Sequence, residues 1–247
     1  MSHYFITGAS AGIGAALAKM LTDDGHAVSA VARRKQRLVA IENSTDLFRG
    51  YATDVRDADA IAAAVASSHD TFGPVDVAVL NAGIYVPQDG KHIEPSVYAE
   101  HMNINYMGVV NALAAVVPKM LAAGRGHVIL ISSVAGWRGL PKAAAYGPTK
   151  AALISLAESL YFDLAPKNIK IQVICPGFVD TEATAVNDFD MPGLMSAETA
   201  AQHIITEMKS DMFLVSFPKS FTRKMKFLKY LPDRLYFSLV GKQTGTN

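Results

Sequence analysis

The runs VDVAVL (75–80) and HVILIS (127–132) are apolar almost throughout, where a strand with one wet face would alternate apolar and polar residues. A strand apolar on both faces has to be covered on both faces, which leaves few architectures open. Strand-like runs are read at His3–Thr7, His26–Ala32, Phe48–Ala52, Val75–Leu80, His127–Ser132, Ile169–Cys175 and Met212–Ser216. Between them lie alanine- and leucine-rich helical segments, among them Ala15–Thr22, Ala58–Ser68, Val97–Ala123 and Ala151–Leu164. Alternation of this kind predicts βαβ crossovers, hence an α/β protein with a parallel sheet of about seven strands and helices on both faces. The 247 residues suffice to bury such a core, and with no internal repeat, low-complexity tract or linker the chain reads as one domain over 1–247.

Composition narrows the function. Half the residues are hydrophobic and the net charge is +1, so bulk electrostatics advertise no nucleic-acid partner. Cys175 is the only cysteine, which excludes an internal disulfide or cysteine metal site and suits a reducing, cytoplasmic location. No basic-then-apolar leader precedes HYFIT and no uninterrupted apolar stretch reaches spanning length, so neither a secretory signal nor a membrane span is expected. His26, His69, His92, His101, His127 and His203 lack metal-ligand spacing, and no metal is expected.

In a doubly wound sheet, ligands bind beyond the carboxyl ends of the strands, where strand order reverses. The first such segment reads TGASAGIG (7–14), placed directly between a strand and a helix. Its glycines, Gly8, Gly12 and Gly14, let the chain turn tightly, so that the backbone around Ser10, Ala11 and Ile13 and the helix N-terminus approach a phosphate pair. After the second strand comes ARRKQRL, with Ala32 where an acidic residue would bind a ribose 2′-hydroxyl. Arg33 and Arg34 follow it, cations that oppose a helix dipole and that suit a 2′-phosphate, unless the run is only a solvated helix start. This favours NADP(H) over NAD(H), with NAD(H) possible. Asp54 and Val55 follow the third strand and Asn81, Ala82 and Gly83 the fourth; as helix cap and turn they are ordinary, but their place at the same mouth points to adenine and ribose contacts. Ser133, after the fifth strand, either caps the next turn or meets Tyr146 at the sheet edge.

The ordered set TGASAGIG, Asp54-Val55, NAG (81–83), Asn105 in NINYMG, Ser133 in ISSVAG, YGPTK (146–150) and PGFVDT (176–181) resembles the short-chain dehydrogenase/reductase family, over roughly residues 3 to 181. The resemblance implies a Rossmann-like doubly wound three-layer fold. It also implies a catalytic set of Asn105, Ser133, Tyr146 and Lys150, in which Lys150 holds the nicotinamide ribose, Ser133 the substrate oxygen, and Asn105 a proton-relaying water. By the same resemblance Pro176, Gly177, Val179 and Thr181 lie against the nicotinamide, residues 182–197 form the substrate loop, and 182–247 is the variable C-terminal part. The enoyl reductases of the family have a longer Tyr-to-Lys spacing and fit poorly.

Tyr146 and Lys150 then have a chemical reading. Hydride transfer to a carbonyl leaves an alkoxide that needs a proton. A free tyrosine, at about 10, is a weak acid, and a lysine one helical turn on favours the phenolate and is expected to lower that value. Pro148 between them is tolerated if the helix begins near Tyr146, where its missing N–H has no partner to lose. The alternative to an alcohol dehydrogenase or carbonyl reductase is a cofactor-binding sensor without turnover.

From Lys219 to Lys242 there are seven basic residues against one acidic, interleaved with Phe221, Met225, Leu228, Tyr230, Leu231, Tyr236 and Phe237. Such a segment is open to three readings: a helix on a membrane surface, a lid over an apolar pocket, or a helix packed on the domain with a solvated basic face. A homo-oligomer is expected, a dimer through Val97–Ala123 and Ala151–Leu164, while tetramer contacts through the family's usual tail are not assumed. The substrate reads only as a small-molecule carbonyl or alcohol.

Overall fold

The computed structural model describes residues 1–244; the end of the variable segment at 245–247 lies outside the described residues. In chain order the elements are β1 (His3–Thr7), α1 (Gly12–Asp23), β2 (Ala27–Ala32), α2 (Lys35–Glu42), β3 (Phe48–Ala52), α3 (Ala58–Phe72), β4 (Val77–Leu80) and α4 (Pro95–His101). Then come a wide helical turn (Met102–Met107), α5 (Gly108–Ala123), β5 (Gly126–Ile131), α6 (Tyr146–Leu164), β6 (Ile169–Pro176) and the short β7 (Val179–Asp180) and β8 (Met195–Ser196). The chain continues through α7 (Ala197–Glu207), β9 (Leu214–Phe217), α8 (Lys219–Lys229) and α9 (Asp233–Thr244).

Among the described residues, seven strands form one parallel sheet in the order β3-β2-β1-β4-β5-β6-β9. The apolar runs explain it: β4 is buried along its whole length, and two hydrophobic clusters lie on opposite faces of the sheet. One contains Val65, Val109, Val116 and Leu153 from α3, α5 and α6; the other contains Leu17, Leu21, Ala200 and Ile204 from α1 and α7. This is the three-layer α/β/α Rossmann-like arrangement, and its order reverses between β1 and β4.

Three sequence expectations need correction. The segment Val97–Ala123 runs from Pro95 and is interrupted by a wide turn that contains Asn105. Pro95–Ala123 is also long and apolar enough, by length and composition, to cross a membrane, contrary to the absence of a span-length stretch; its inner stripe of Val109, Ala112, Val116 and Met120 is nonetheless buried in the core. The substrate-loop region 182–197 is not all loop, because Met195 pairs with Val179 and Ser196 caps α7 by accepting from the Thr199 amide at 3.1 Å.

Candidate active site

A cleft of about 1030 Å³ opens at the carboxyl ends of the strands, over the β1/β4 reversal. At one end lies the glycine turn. Gly8 and Gly12 have φ of 75° and 54°, a region that side chains resist. A Cβ on Gly14 would sit 2.4 Å from the Gly8 carbonyl oxygen, so α1 leaves the turn only with glycine there. Ala11 starts α1 without a side-chain cap and no acid occupies its first turn, so the amides at the helix start keep no side-chain partner.

Asn81 braces this turn instead of reaching for a ligand with its side chain: Nδ2 donates to the Thr7 and Gly8 carbonyls at 3.1 and 3.2 Å. Thr7 Oγ1 in turn accepts from the Asn81 and Ala82 amides at 3.0 and 3.1 Å. Asp54 lines the cleft and is bound by Arg56, whose guanidinium holds its carboxyl below the usual carboxylate range. Beyond β2, Arg33 and Arg34 both line the cleft and are exposed. Arg34 donates to Ser10 Oγ at 3.1 Å and pairs with Glu182 at 2.6 Å, and Arg37 pairs with the other Glu182 oxygen at 2.6 Å. Arg37 and Glu182 were not singled out from the sequence; Arg37 lies in the basic run already noticed, whereas nothing local points to Glu182.

At the other end stand Ser133, Tyr146 and Lys150. α6 begins at Tyr146 itself, with Pro148 in its first turn, where the sequence placed it. The start of α6 is pressed onto the end of β5: Ser132 Oγ donates to the Lys150 carbonyl at 2.8 Å, and a Cβ on Gly136 would meet the same carbonyl carbon at 2.7 Å. That contact sets the Ser133 hydroxyl beside the Tyr146 hydroxyl, near enough to favour its ionised form. Ser133 also caps the following turn through the Ala135 amide at 3.1 Å, so both readings of this serine hold at once.

The electrostatics differ from the sequence expectation for Tyr146. Burial pushes its hydroxyl up to about 12, the Ser133 hydrogen bond pulls against that, and Tyr85 and Cys175 push it further up. Lys150 does not offset this rise: its Nζ lies 5.5 Å from the tyrosine ring centroid and donates to the Ile131 carbonyl at 2.8 Å, but it has lost its charge at the pH where a phenol so raised would ionise. Burial of the lysine brings its own value down to about 8.

Asn105 and Gly14 stand behind the wall, not on it. The Asn105 side chain is fully buried; it accepts from the Ile84 amide at 2.8 Å and donates to the Ile84 carbonyl at 3.0 Å and to Thr149 Oγ1 at 3.1 Å. Its side chain therefore ties the loop after β4 to α6. Gly8, Ser10, Ala11, Gly12, Ile13, Val55, Ala82, Gly83, Pro176, Gly177, Val179 and Thr181 all border the cleft. Tyr85, missed in the sequence, packs edge-on against Tyr146 with centroids 5.1 Å apart. Its only sequence signal was its place two residues after Asn-Ala-Gly.

The far wall is apolar. Leu140, Phe178 and Phe189 line it together with Phe221, Met225 and Leu228 of α8 and Val240 of α9, so the basic segment packs on the domain and borders the cleft. Arg138 anchors it: the guanidinium donates to the Leu228, Lys229 and Leu231 carbonyls at 3.3, 3.1 and 2.7 Å and stacks 3.9 Å from the Tyr236 ring centroid.

The family model for short chain dehydrogenases matches residues 2–191. An uncharacterized oxidoreductase of Myxococcus xanthus is 34% identical over 94% of this chain and 93% of its own length. A dehydrogenase/reductase SDR family protein 7-like of Anopheles gambiae is 31% identical over 96% of this chain and 81% of its own. Among solved structures, a short chain dehydrogenase of Burkholderia cenocepacia in complex with NADP superposes with a TM-score of 0.84 at 23% identity, covering 97% of each chain. With a matching family model over most of its length, and with its glycine turn, serine, tyrosine and lysine on one cleft, this chain belongs to the short-chain dehydrogenase family of oxidoreductases.

Proposed function

We propose that the protein transfers a hydride between NADP(H) and a carbonyl/alcohol pair whose carbon skeleton is bulky and apolar. The observation that carries this reading is the single cleft in which Ser133, Tyr146 and Lys150 face an apolar wall at one end and an uncapped helix start with two arginines stands at the other. The residues fit the cofactor: Gly8 and Gly12 leave room for a backbone cradle, and no acid follows β2 where a free 2′-hydroxyl would want one. Arg33 and Arg34 suit a 2′-phosphate, while the rest of the cradle accommodates NAD(H) as well. The NADP carried by the Burkholderia relative agrees with this preference.

When bound, the nicotinamide supplies the hydride in reduction and accepts it in oxidation. Tyr146, its value pushed up to about 12, keeps its proton at neutral pH and gives it to the oxygen that becomes an alkoxide. Ser133 donates a hydrogen bond to the same oxygen and thereby orients it toward Tyr146. Lys150, held by the Ile131 carbonyl, places a cation beside the phenol and two N–H donors toward a ribose. Asn105 acts as a positioning residue through Ile84 and Thr149. Phe178, Phe189, Phe221 and Met225 favour an apolar substrate over a small hydrophilic one.

The test is oxidation of NADPH and of NADH, separately, across carbonyls graded from short aldehydes to steroid-sized ketones. Turnover that prefers NADPH and rises with apolar bulk is expected; equal rates on short hydrophilic aldehydes count against the substrate class. A homo-oligomer belongs to the same reading, since Leu121 of α5 and Tyr161 and Phe162 of α6 leave apolar side chains on the outer faces of these helices. A one-chain mass by light scattering at micromolar concentration would remove it.

A further inference from the structure

The two C-terminal helices carry a second apolar face, turned away from the cleft. Phe227 of α8 and Leu235 and Leu239 of α9 stand in solvent, at 67%, 54% and 48% exposure. Isolated exposed apolar residues need no explanation, but a contiguous set does. Phe227 of α8 and Leu239 of α9 wall one groove of about 710 Å³, with Arg223, Lys224 and Lys242 around it. Leu235 lies one turn before Leu239 on the same helix side.

The charges on this face are of one sign. No acid borders the groove, and Arg223, Lys224 and Lys242 make no ion pair among the described residues. The one acid of 219–242, Asp233, is bound by Arg138 on the domain side. Because that stretch holds seven basic residues in a chain of net charge +1, everything outside it is net acidic. An anionic surface would therefore attract this segment and repel the rest of the chain taken as a whole. A second copy docking by two-fold symmetry would set the same three cations against themselves, which argues against self-association here.

We propose that the α8–α9 face docks the protein on a bilayer with anionic headgroups. Phe227, Leu235 and Leu239 enter the headgroup boundary, and Arg223, Lys224 and Lys242 pair with lipid phosphates. Leu228 and Gln243 border both this groove and the catalytic cleft, so the docked face lies one side chain away from the apolar wall of the site. If the reductase reading also holds, substrate that partitions into the bilayer reaches the cleft without crossing bulk water.

The experiment is co-sedimentation of the full chain with vesicles of phosphatidylcholine alone or with about one third phosphatidylglycerol, at low and high salt, independent of any turnover. Binding to the anionic vesicles only, weakened by salt, is expected. F227S/L239S is expected to abolish it, and R223Q/K224Q/K242Q to weaken it roughly fivefold per charge removed. All five side chains are exposed, so melting temperatures should stay at the parent value and certify folding. No sedimentation with millimolar anionic lipid, or binding unchanged in both variants, overturns the proposal. Conversion of an oligomer to a monomer by F227S/L239S, with vesicle binding intact, also overturns it by giving the face to a second copy.

Discussion

Glu182, next to the Thr181 that a Cβ on Gly12 would meet, holds Arg34 and Arg37 with one carboxylate oxygen each, both at 2.6 Å. A carboxylate thus stands on Arg34, one of the two cations proposed for a 2′-phosphate, and on its neighbour Arg37. The two anions compete for the same fork, and the pairs being exposed, the competition is modest. Glu182→Gln is expected to tighten NADPH binding about three- to tenfold with little change for NADH, measured by fluorescence titration. Weaker NADPH binding in this variant would mean that Glu182 clasps the cofactor instead of excluding it.

Tyr146→Phe removes the proton donor while leaving the ring on Tyr85. Turnover is expected to fall by about a hundred- to ten-thousandfold, with NADPH affinity within a factor of about two. Single-turnover rates and binding titrations separate the two effects. Appreciable residual turnover would move the acid to another group.

Gly14→Ala tests the cradle through stability. Its Cβ would lie 2.4 Å from the Gly8 carbonyl oxygen and 2.6 Å from Asn81 Nδ2, so β1, α1 and the loop after β4 must part. A loss of about 1–3 kcal/mol in urea unfolding is expected, with weakened cofactor binding. Gly25→Ala is the contrast: nothing lies within 4 Å, and only its positive φ of 78° resists the change.

His127 sets an acid limit. Burial, helped by Lys170, lowers its value from 6.5 to about 4, while Gln172 pulls the other way. Between those values the unfolded chain binds the proton and the native chain does not, so this contribution is whole above pH 6.5 and is lost as pH falls toward 4. The loss is up to about 3 kcal/mol. In melts from pH 7.5 to 4.5, His127→Gln is expected to flatten this slope; an unchanged slope would assign it elsewhere.

The parallel sheet, its strands to within about two residues, the glycine turn and the start of α6 could all be read from the chain, because each depends on neighbours within a few positions. Buried strands declare themselves by unbroken apolarity, and a proline three residues into a helix declares where that helix starts. Residue identity also brought Ser133, Tyr146 and Lys150 forward, since few patterns place a hydroxyl after a buried strand and a phenol and an amine one turn apart at the start of the next helix.

Tertiary structure alone decided what those residues meet. Burial, a property of the packed whole, turned the expected fall in the Tyr146 value into a rise. Arg34 and Glu182 are 148 positions apart and Arg138 and Leu231 are 93 apart, so no local pattern could announce either contact. The same holds for the C-terminal segment. Its composition stated that it was basic and apolar, but only the docking of Tyr236 and Met225 onto the domain determined which apolar side chains wall the cleft and which are left facing out.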